Sequence, residues 1–372
     1  MSSFKRDCNL EKIFWGSNEQ TMTFVKKEFT EFLTKGDDHI KQLCLRDNGF
    51  PKHIVSATHF NKDFLGHIYN LTKSIKSFHR GNPTYISNLC SEFSVLNYFQ
   101  QASSRTFLSF SMAQSLLGIK KEEVRSIETS SFAKGESDID SLRTISSYFD
   151  AIVCRHPSSY YHLFAAWVMS CSEREIPIVN AGCGIKEHPT QALLDYYTIN
   201  ESFSGNIDGL TIGFVGDCLR GRTVHSLAKL LALFNDITLV FISPTKLRID
   251  EETISYIKEI SPTTKIVIKN DGIENNLSNL DVVYMTRIQD EWGDKDIYPV
   301  DFRFHKNLLS KFSSSGILMH PMPKREEMDP ALDFIKGDQR LVYWRQQRNG
   351  MWVRAALFSY LFGKGQQLEV LN

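Results

Sequence analysis

Residues 210–217, LTIGFVGD, decide how this chain folds. An apolar run of strand length ends at Gly216-Asp217, and beyond it Val224, Leu227, Leu230, Leu231 and Phe234 recur at helical spacing. An apolar strand feeding an amphipathic helix is the repeating unit of a parallel sheet covered by helices on both faces. Downstream the series continues with residues 237–242 (ITLVFI), 264–268 (TKIVI), 281–285 (DVVYM) and 316–319 (GILM). Upstream, residues 93–99 (FSVLNYF), 151–154 and 176–180 read as strands, with helical patterns at 107–117 and 160–170. The polar, glycine-containing run 200–209 (NESFSGNIDG) separates the two series. The expected fold is α/β: two tandem domains, each a parallel sheet flanked by helices, with the active site in the crevice between them. Residues 1–50 hold a rough helical stripe of Phe24, Phe29, Phe32 and Leu33 ending near Gly36, and read as an amino-terminal packing or solubilising extension.

Composition narrows the function. The 372 residues suit two domains, and 42% hydrophobic residues suffice for two cores. Lys plus Arg and Asp plus Glu both total 43, so nothing in the net charge points to nucleic acid or an anionic membrane as partner. Any bound anion must be held by a local cluster of cations. No apolar run approaches the roughly 20 residues needed to cross a bilayer, and the amino terminus lacks the apolar centre of a secretory signal. The expected location is cytoplasmic. Seven cysteines (Cys8, Cys44, Cys90, Cys154, Cys171, Cys183 and Cys218) are scattered, with no CxxC pair. Neither a zinc site nor a disulfide framework is expected from that spacing, and no metal or cofactor is implied.

In parallel sheets, ligands bind where loops leave the carboxyl ends of strands, and helix amino termini there attract anions. Ser103-Ser104-Arg105-Thr106 follows the first strand and opens a helix, a combination suited to phosphate, although capping serines give the same pattern. Arg155-His156-Pro157 follows the strand at 151–154, and His188-Pro189-Thr190-Gln191 opens a helix after the strand ending at Asn180. In the second half, Arg222 opens the helix after 210–217, Arg287-Ile288-Gln289 follows 281–285, and His320-Pro321-Met322-Pro323 follows 316–319. The loop at Gly216 lacks GxGxxG, which argues against a dinucleotide.

Taken in order, SSRT (103–106), Ser130 with Lys134-Gly135-Glu136, RHP (155–157), HPTQALLD (188–195), VGD with GRTVHSL, YMTRIQDE and HPMPK (320–324) resemble the catalytic chain of aspartate carbamoyltransferases. The resemblance covers roughly 50–363, including Asn349-Gly350 and Arg354, and leaves the first 50 residues uncovered. It implies carbamoyl transfer from carbamoyl phosphate to L-aspartate, giving N-carbamoyl-L-aspartate and phosphate in de novo pyrimidine biosynthesis. It also implies a carbamoyl-phosphate domain at 51–199, completed by a carboxyl-terminal helix at 345–372, and an aspartate domain at 200–344. Ser103, Ser104, Arg105, Thr106 and Arg155 would hold the phosphate. Arg105, Thr106 and His188 would polarise the carbonyl. Gln191 and the backbone carbonyls of Pro321 and Met322 would hold the carbamoyl NH₂. Arg222, Arg287 and Gln289 would hold the aspartate carboxylates. Ser130 and Lys134 would enter from a neighbouring subunit, Lys134 also reaching aspartate, which implies a homotrimer with shared active sites; any regulatory subunit is not legible in this chain.

The chain departs from the family at Gln101, where a glutamate is usual, and at Trp292, where one of that glutamate's arginine partners would stand. Both halves of one bridge are thus changed together, so domain closure is expected to be stabilised differently. Ser104, which keeps the hydroxyl of the usual threonine, and Ser111, Cys183 and Lys324 also replace residues common in the family, and none of these changes removes a residue expected to contact the reacting atoms. Two alternatives remain open at this stage: a non-catalytic anion-binding relative, and a transcarbamoylase with another amine acceptor.

Overall fold

Every strand marked out by an apolar run is present, and each pairs parallel to its neighbour. The computed structural model describes residues 10, 13, 19–125, 136–289 and 298–369. The chain divides into two units, one running to Thr190 and resuming at Met351, the other Gln191–Gly350.

Among the described residues, the first unit carries strands β1 (Ser94–Phe99), β2 (Lys120–Val124), β3 (Ala151–Arg155) and β4 (Ile178–Asn180), in the order β2-β1-β3-β4. The strand β2 has no apolar pattern: KKEEV is almost wholly exposed, as befits an edge that charge protects from further pairing. Helices α1 (Glu19–Thr34), α2 (Asp37–Cys44), α3 (Lys62–Gly81) and α4 (Pro83–Asn88) precede the sheet, and α5 (Ser104–Leu116), α6 (Asp138–Tyr148) and α7 (Tyr161–Ser170) alternate with its strands. Local chemistry sets their starts. Asn61 Oδ1 accepts the Phe64 N–H at 2.8 Å ahead of α3, and Ser137 Oγ accepts the Asp140 N–H at 3.1 Å ahead of α6.

The amino-terminal stripe is only partly as the sequence suggests. Phe29, Phe32 and Leu33 are buried, but Phe24 is 63% exposed and Val25 takes the inward position. Phe29 lies 5.3 Å from Phe164 and 5.6 Å from Trp167, ring centre to ring centre, so α1 is built into the core over α7.

Helix α8 (Pro189–Ser202) contains the junction at Thr190. The second unit carries β5 (Thr211–Val215), β6 (Thr238–Ile242), β7 (Lys265–Lys269), β8 (Val282–Met285) and β9 (Ile317–Met319), ordered β7-β6-β5-β8-β9. Helices α9 (Arg222–Leu231) and α10 (Glu251–Ile260) join its strands, Asp250 capping α10 by accepting the Thr253 N–H at 2.7 Å. Helix α11 (Tyr343–Leu361) contains the second junction, and α12 (Gly365–Glu369) follows it. All five strands run parallel, so the loops after β5, β8 and β9 leave the same edge of the sheet, and the order of winding reverses between β5 and β8.

Candidate active site

In the first unit three loops leave the carboxyl ends of adjacent strands. Gln100 and Gln101 N–H groups both donate to the Arg155 carbonyl, at 2.8 and 3.2 Å, so the chain turns into Ser103–Thr106 beside the end of β3. Ser103 is the cap residue of α5, yet its hydroxyl makes no capping hydrogen bond. The capping explanation for this serine therefore fails, and the hydroxyl is left at the amino terminus of a 13-residue helix whose first turn holds Ser104, Arg105 and Thr106. Ser104 and Arg105 are exposed and Thr106 half-buried.

Arg155 is buried, its Nη1 donating to the Ala181 carbonyl at 2.9 Å. Asn180 shapes the loop that follows β4. Its Oδ1 accepts the N–H groups of Gly182 and Cys183, both at 2.8 Å, and its Nδ2 donates to the Val55 carbonyl at 3.1 Å. Gly182 has φ of +98°, and a Cβ there would lie 2.7 Å from Arg155 Nη1 and 2.9 Å from His188 Cδ2. Arg155 and His188 thus pack against one glycine, and His188 is itself buried. His188 precedes α8 rather than forming its first turn, which Pro189 opens. Glu187 Oε2 accepts Ser56 Oγ and the Ala57 N–H, each at 2.8 Å, and fixes the loop from behind. Cys183 is buried, with its Sγ 3.9 Å from Cys154 Sγ and donating to the Cys154 carbonyl at 3.5 Å.

In the second unit Arg222 is the first residue of α9 after β5, Arg287 and Gln289 follow β8, and Pro321 and Met322 follow β9. All five are partly buried. Sequence reasoning passed over the residue that joins two of these loops. Asp217, wholly buried, accepts the Gln289 N–H at 3.0 Å through Oδ2 and the Arg220 N–H at 2.9 Å through Oδ1. Its signal was visible, an acidic residue directly behind a strand-ending glycine. Met322 adopts φ of 64°, a left-handed conformation that costs a non-glycine residue energy and turns up preferentially at functional loops.

Gln191, on α8, donates through Nε2 to Asp195 Oδ1 at 3.0 Å. His320 is buried and its tautomer is fixed: Nδ1 accepts the Met322 N–H at 2.8 Å, so Nε2 carries the proton toward Glu327 Oε1 at 2.7 Å. Burial lowers the His320 pKa, outweighing the carboxylate, so the ring stays neutral. Lys324 pairs with Asp333 and lies 4.6 Å over the Tyr343 ring, while Ser111 accepts from Lys121 Nζ at 2.7 Å.

Ser130, Lys134 and Trp292 lie outside the described residues. Among the described residues no cluster of His, Cys, Asp and Glu could hold a metal ion, and no helix is long and apolar enough to cross a membrane.

The comparisons agree with this architecture. The model of the aspartate/ornithine carbamoyltransferase carbamoyl-P binding domain matches residues 52–201, and that of the Asp/Orn binding domain matches 208–361. The chain is 36% identical over 328 residues to the aspartate carbamoyltransferase catalytic subunit of Dichelobacter nodosus, covering 85% of this chain and 91% of that one. It is 36% identical over 317 residues to the multifunctional protein CAD of Squalus acanthias, covering 84% of this chain but spanning only 13% of that larger protein. A Trypanosoma cruzi aspartate transcarbamoylase solved with carbamoyl phosphate and aspartate superposes with a TM-score of 0.73 at 32% identity, covering 85% of this chain and 98% of that one. With both domain models matched in tandem over most of its length, the chain belongs to the aspartate/ornithine carbamoyltransferase family.

Proposed function

We propose that this chain transfers the carbamoyl group of carbamoyl phosphate to the amine of L-aspartate, releasing phosphate and N-carbamoyl-L-aspartate for pyrimidine biosynthesis. One observation carries the reading: the polar and cationic loops stand at the carboxyl ends of adjacent parallel strands in both sheets, β1, β3 and β4 in one and β5, β8 and β9 in the other. The relatives named for aspartate, and the T. cruzi enzyme holding both substrates, support it.

The chemistry asks for little beyond positioning. Phosphate is already a good leaving group, so the aspartate amine attacks the carbamoyl carbon directly. A C–N bond forms, the C–O bond to phosphate breaks, and the departing phosphate takes the amine proton. Ser103, Ser104, Arg105, Thr106 and Arg155 hold the phosphate, while Arg105, Thr106 and His188 stabilise the charge that develops on the carbonyl oxygen. Gln191 and the Pro321 and Met322 carbonyls accept from the NH₂ group. Arg222, Arg287 and Gln289 take the dicarboxylate, which is why two arginines follow separate strands of the second sheet. Ser130 and Lys134 complete each site from a neighbour in a cytoplasmic homotrimer.

The deciding assay supplies carbamoyl phosphate with aspartate, and separately with ornithine, to the purified chain. Carbamoylaspartate is the expected product. Product from ornithine alone would remove Arg287 and Gln289 from the acceptor role. Absence of both products, with carbamoyl phosphate failing to bind, would favour a non-catalytic relative.

A further inference from the structure

Asp195 on α8 is wholly buried, and side-chain donors from three separate elements of the fold converge on it. Gln191 Nε2 reaches Oδ1 at 3.0 Å, Gln346 Nε2 reaches the same oxygen at 2.6 Å, and the Tyr284 hydroxyl reaches Oδ2 at 2.7 Å. Burial and the facing carboxylate push the Tyr284 phenol well above its ordinary value, so it remains a donor. A carboxylate only accepts, which settles both amide orientations. Gln191 must turn its Oε1 away from Asp195. Gln346 must do the same, and its Oε1 accepts the His320 N–H at 2.8 Å. Next to it, Gln347 Nε2 donates to the His320 carbonyl at 3.0 Å. Tyr284, His320 and Gln346 are all 0% exposed, so water cannot replace these contacts.

We propose that Gln346 is a positioning residue for carbamoyl transfer. Through one amide it fixes Asp195, which orients Gln191, and it fixes the backbone that presents the Pro321 and Met322 carbonyls. An NH₂ group has two protons to place and accepts nothing, so the elements that recognise it must all offer oxygen. Gln346 is the part that makes both elements do so. The inference rests on the reading that Gln191, Pro321 and Met322 hold the carbamoyl nitrogen. It adds a discrimination: the network should favour carbamoyl phosphate over acetyl phosphate, which has a methyl group in place of NH₂.

The test compares Gln346→Leu with Gln191→Ala in the full chain. Gln346→Leu should lower kcat/KM for carbamoyl phosphate roughly 10- to 100-fold, the size of loss that misplaced contacts cause. Inhibition by acetyl phosphate and by inorganic phosphate should stay within about two-fold, since neither probe offers an NH₂ group. An equal loss of affinity for all three would overturn the positioning role, because a general structural defect does not select the amide. Impaired Gln191→Ala with unimpaired Gln346→Leu would overturn the inference and leave the underlying reading intact. If neither variant is impaired, the reading falls with it.

Gln346→Glu covers the case in which leucine does not fold. Its carboxyl keeps an acceptor for the His320 N–H but meets Asp195 as a second acceptor. Asp195, Tyr284, His320 and Glu327 are titratable groups of the network, and the charges of Lys324 and Arg287 bear on His320. Activity relative to the unsubstituted protein should rise as pH falls and the new carboxyl gains a proton to donate. A ratio that does not change with pH would overturn the proposal.

Discussion

Asp217 Oδ2 accepts the backbone N–H of Gln289 at 3.0 Å, fastening the loop after β8 to the loop after β5. The same carboxylate pairs with Arg220 Nε at 2.8 Å, with side chains 0% and 12% exposed. Removing it leaves the Gln289 N–H without this acceptor and takes a buried carboxylate partner from a mostly buried guanidinium. Asp217→Ala should cost roughly 3–5 kcal/mol of stability, the usual result of breaking a buried pair on one side. It should also raise the KM for aspartate about ten-fold while leaving carbamoyl phosphate binding unchanged. Steady-state kinetics on the folded variant decide it, and an unaltered KM for aspartate would confine Asp217 to a structural role.

Gly182 offers a sharper test in the first unit. Its φ of +98° disfavours any side chain, and a Cβ would press on Arg155 Nη1 at 2.7 Å and on His188 Cδ2 at 2.9 Å. Gly182→Ala must therefore shift two side chains assigned to phosphate and carbonyl together. We expect kcat/KM for carbamoyl phosphate to fall by at least about ten-fold, with weaker inhibition by phosphate and little change in the KM for aspartate. Unchanged phosphate inhibition would show that Arg155 tolerates the shift and does not hold the anion.

The strands were legible because parallel strands covered on both faces are apolar throughout, as in TIGFV and TLVFI. The KKEEV strand was not, because an exposed edge has no inward face to mark it. Helix α1 was legible as a helix, but with the wrong residue inward: Phe24 and Val25 are adjacent, and hydrophobicity alone does not say which one joins the buried core. The candidate site residues were legible singly, each as a polar motif after a strand. What could not be read were the residues that hold them, Asn180 under the Gly182 turn, Asp217 under Gln289, Gln346 behind Gln191. These are ordinary polar residues in sequence, and only burial reveals that their hydrogen bonds have no solvent substitute.

His59 should make the fold sensitive to mild acid. It is 6% exposed, and burial holds its pKa down to about 4 from an ordinary 6.5, with Glu187 opposing more weakly. The native ring is neutral where the unfolded one takes a proton. Its contribution is therefore fully present above pH 6.5 and is lost as pH falls toward 4, amounting to roughly 3 kcal/mol over that window. His53, also lowered by burial, acts in the same direction. Glu175 extends the loss lower: hydrogen bonds from His53 and Lys52 outweigh its desolvation and bring it to about 2, so its share disappears between its ordinary 4.5 and that value. Urea unfolding at pH 7 and pH 4.5 should give a smaller difference for His59→Gln than for the unsubstituted protein. Equal differences would mean that His59 is not held neutral in the folded state.

Arg105 carries the last prediction, because it separates chemistry from folding and then tests assembly. It is exposed in the first turn of α5, so replacing it should alter stability by no more than about 0.5 kcal/mol. If it is the proposed donor to both the phosphate and the developing oxyanion, its removal should lower kcat by roughly 10³-fold or more. Near-normal turnover of Arg105→Ala would refute that role. Lys134→Ala should be inactive too, in the proposed arrangement for want of a residue that a neighbouring subunit supplies. If each site draws Arg105 from one subunit and Lys134 from the next, a mixed oligomer recreates intact sites wherever a subunit with Arg105 adjoins one with Lys134. Equal mixing at random restores that arrangement at roughly a quarter of all sites, whatever the ring size. Sites built within single subunits would gain nothing from mixing, since every chain lacks one of the two residues. Dissociating the two inactive variants, reassociating them together and measuring carbamoylaspartate formation therefore distinguishes the cases. Recovery near that fraction supports shared sites, and no recovery after confirmed exchange of subunits places Lys134 in the same chain as the Arg105 it serves.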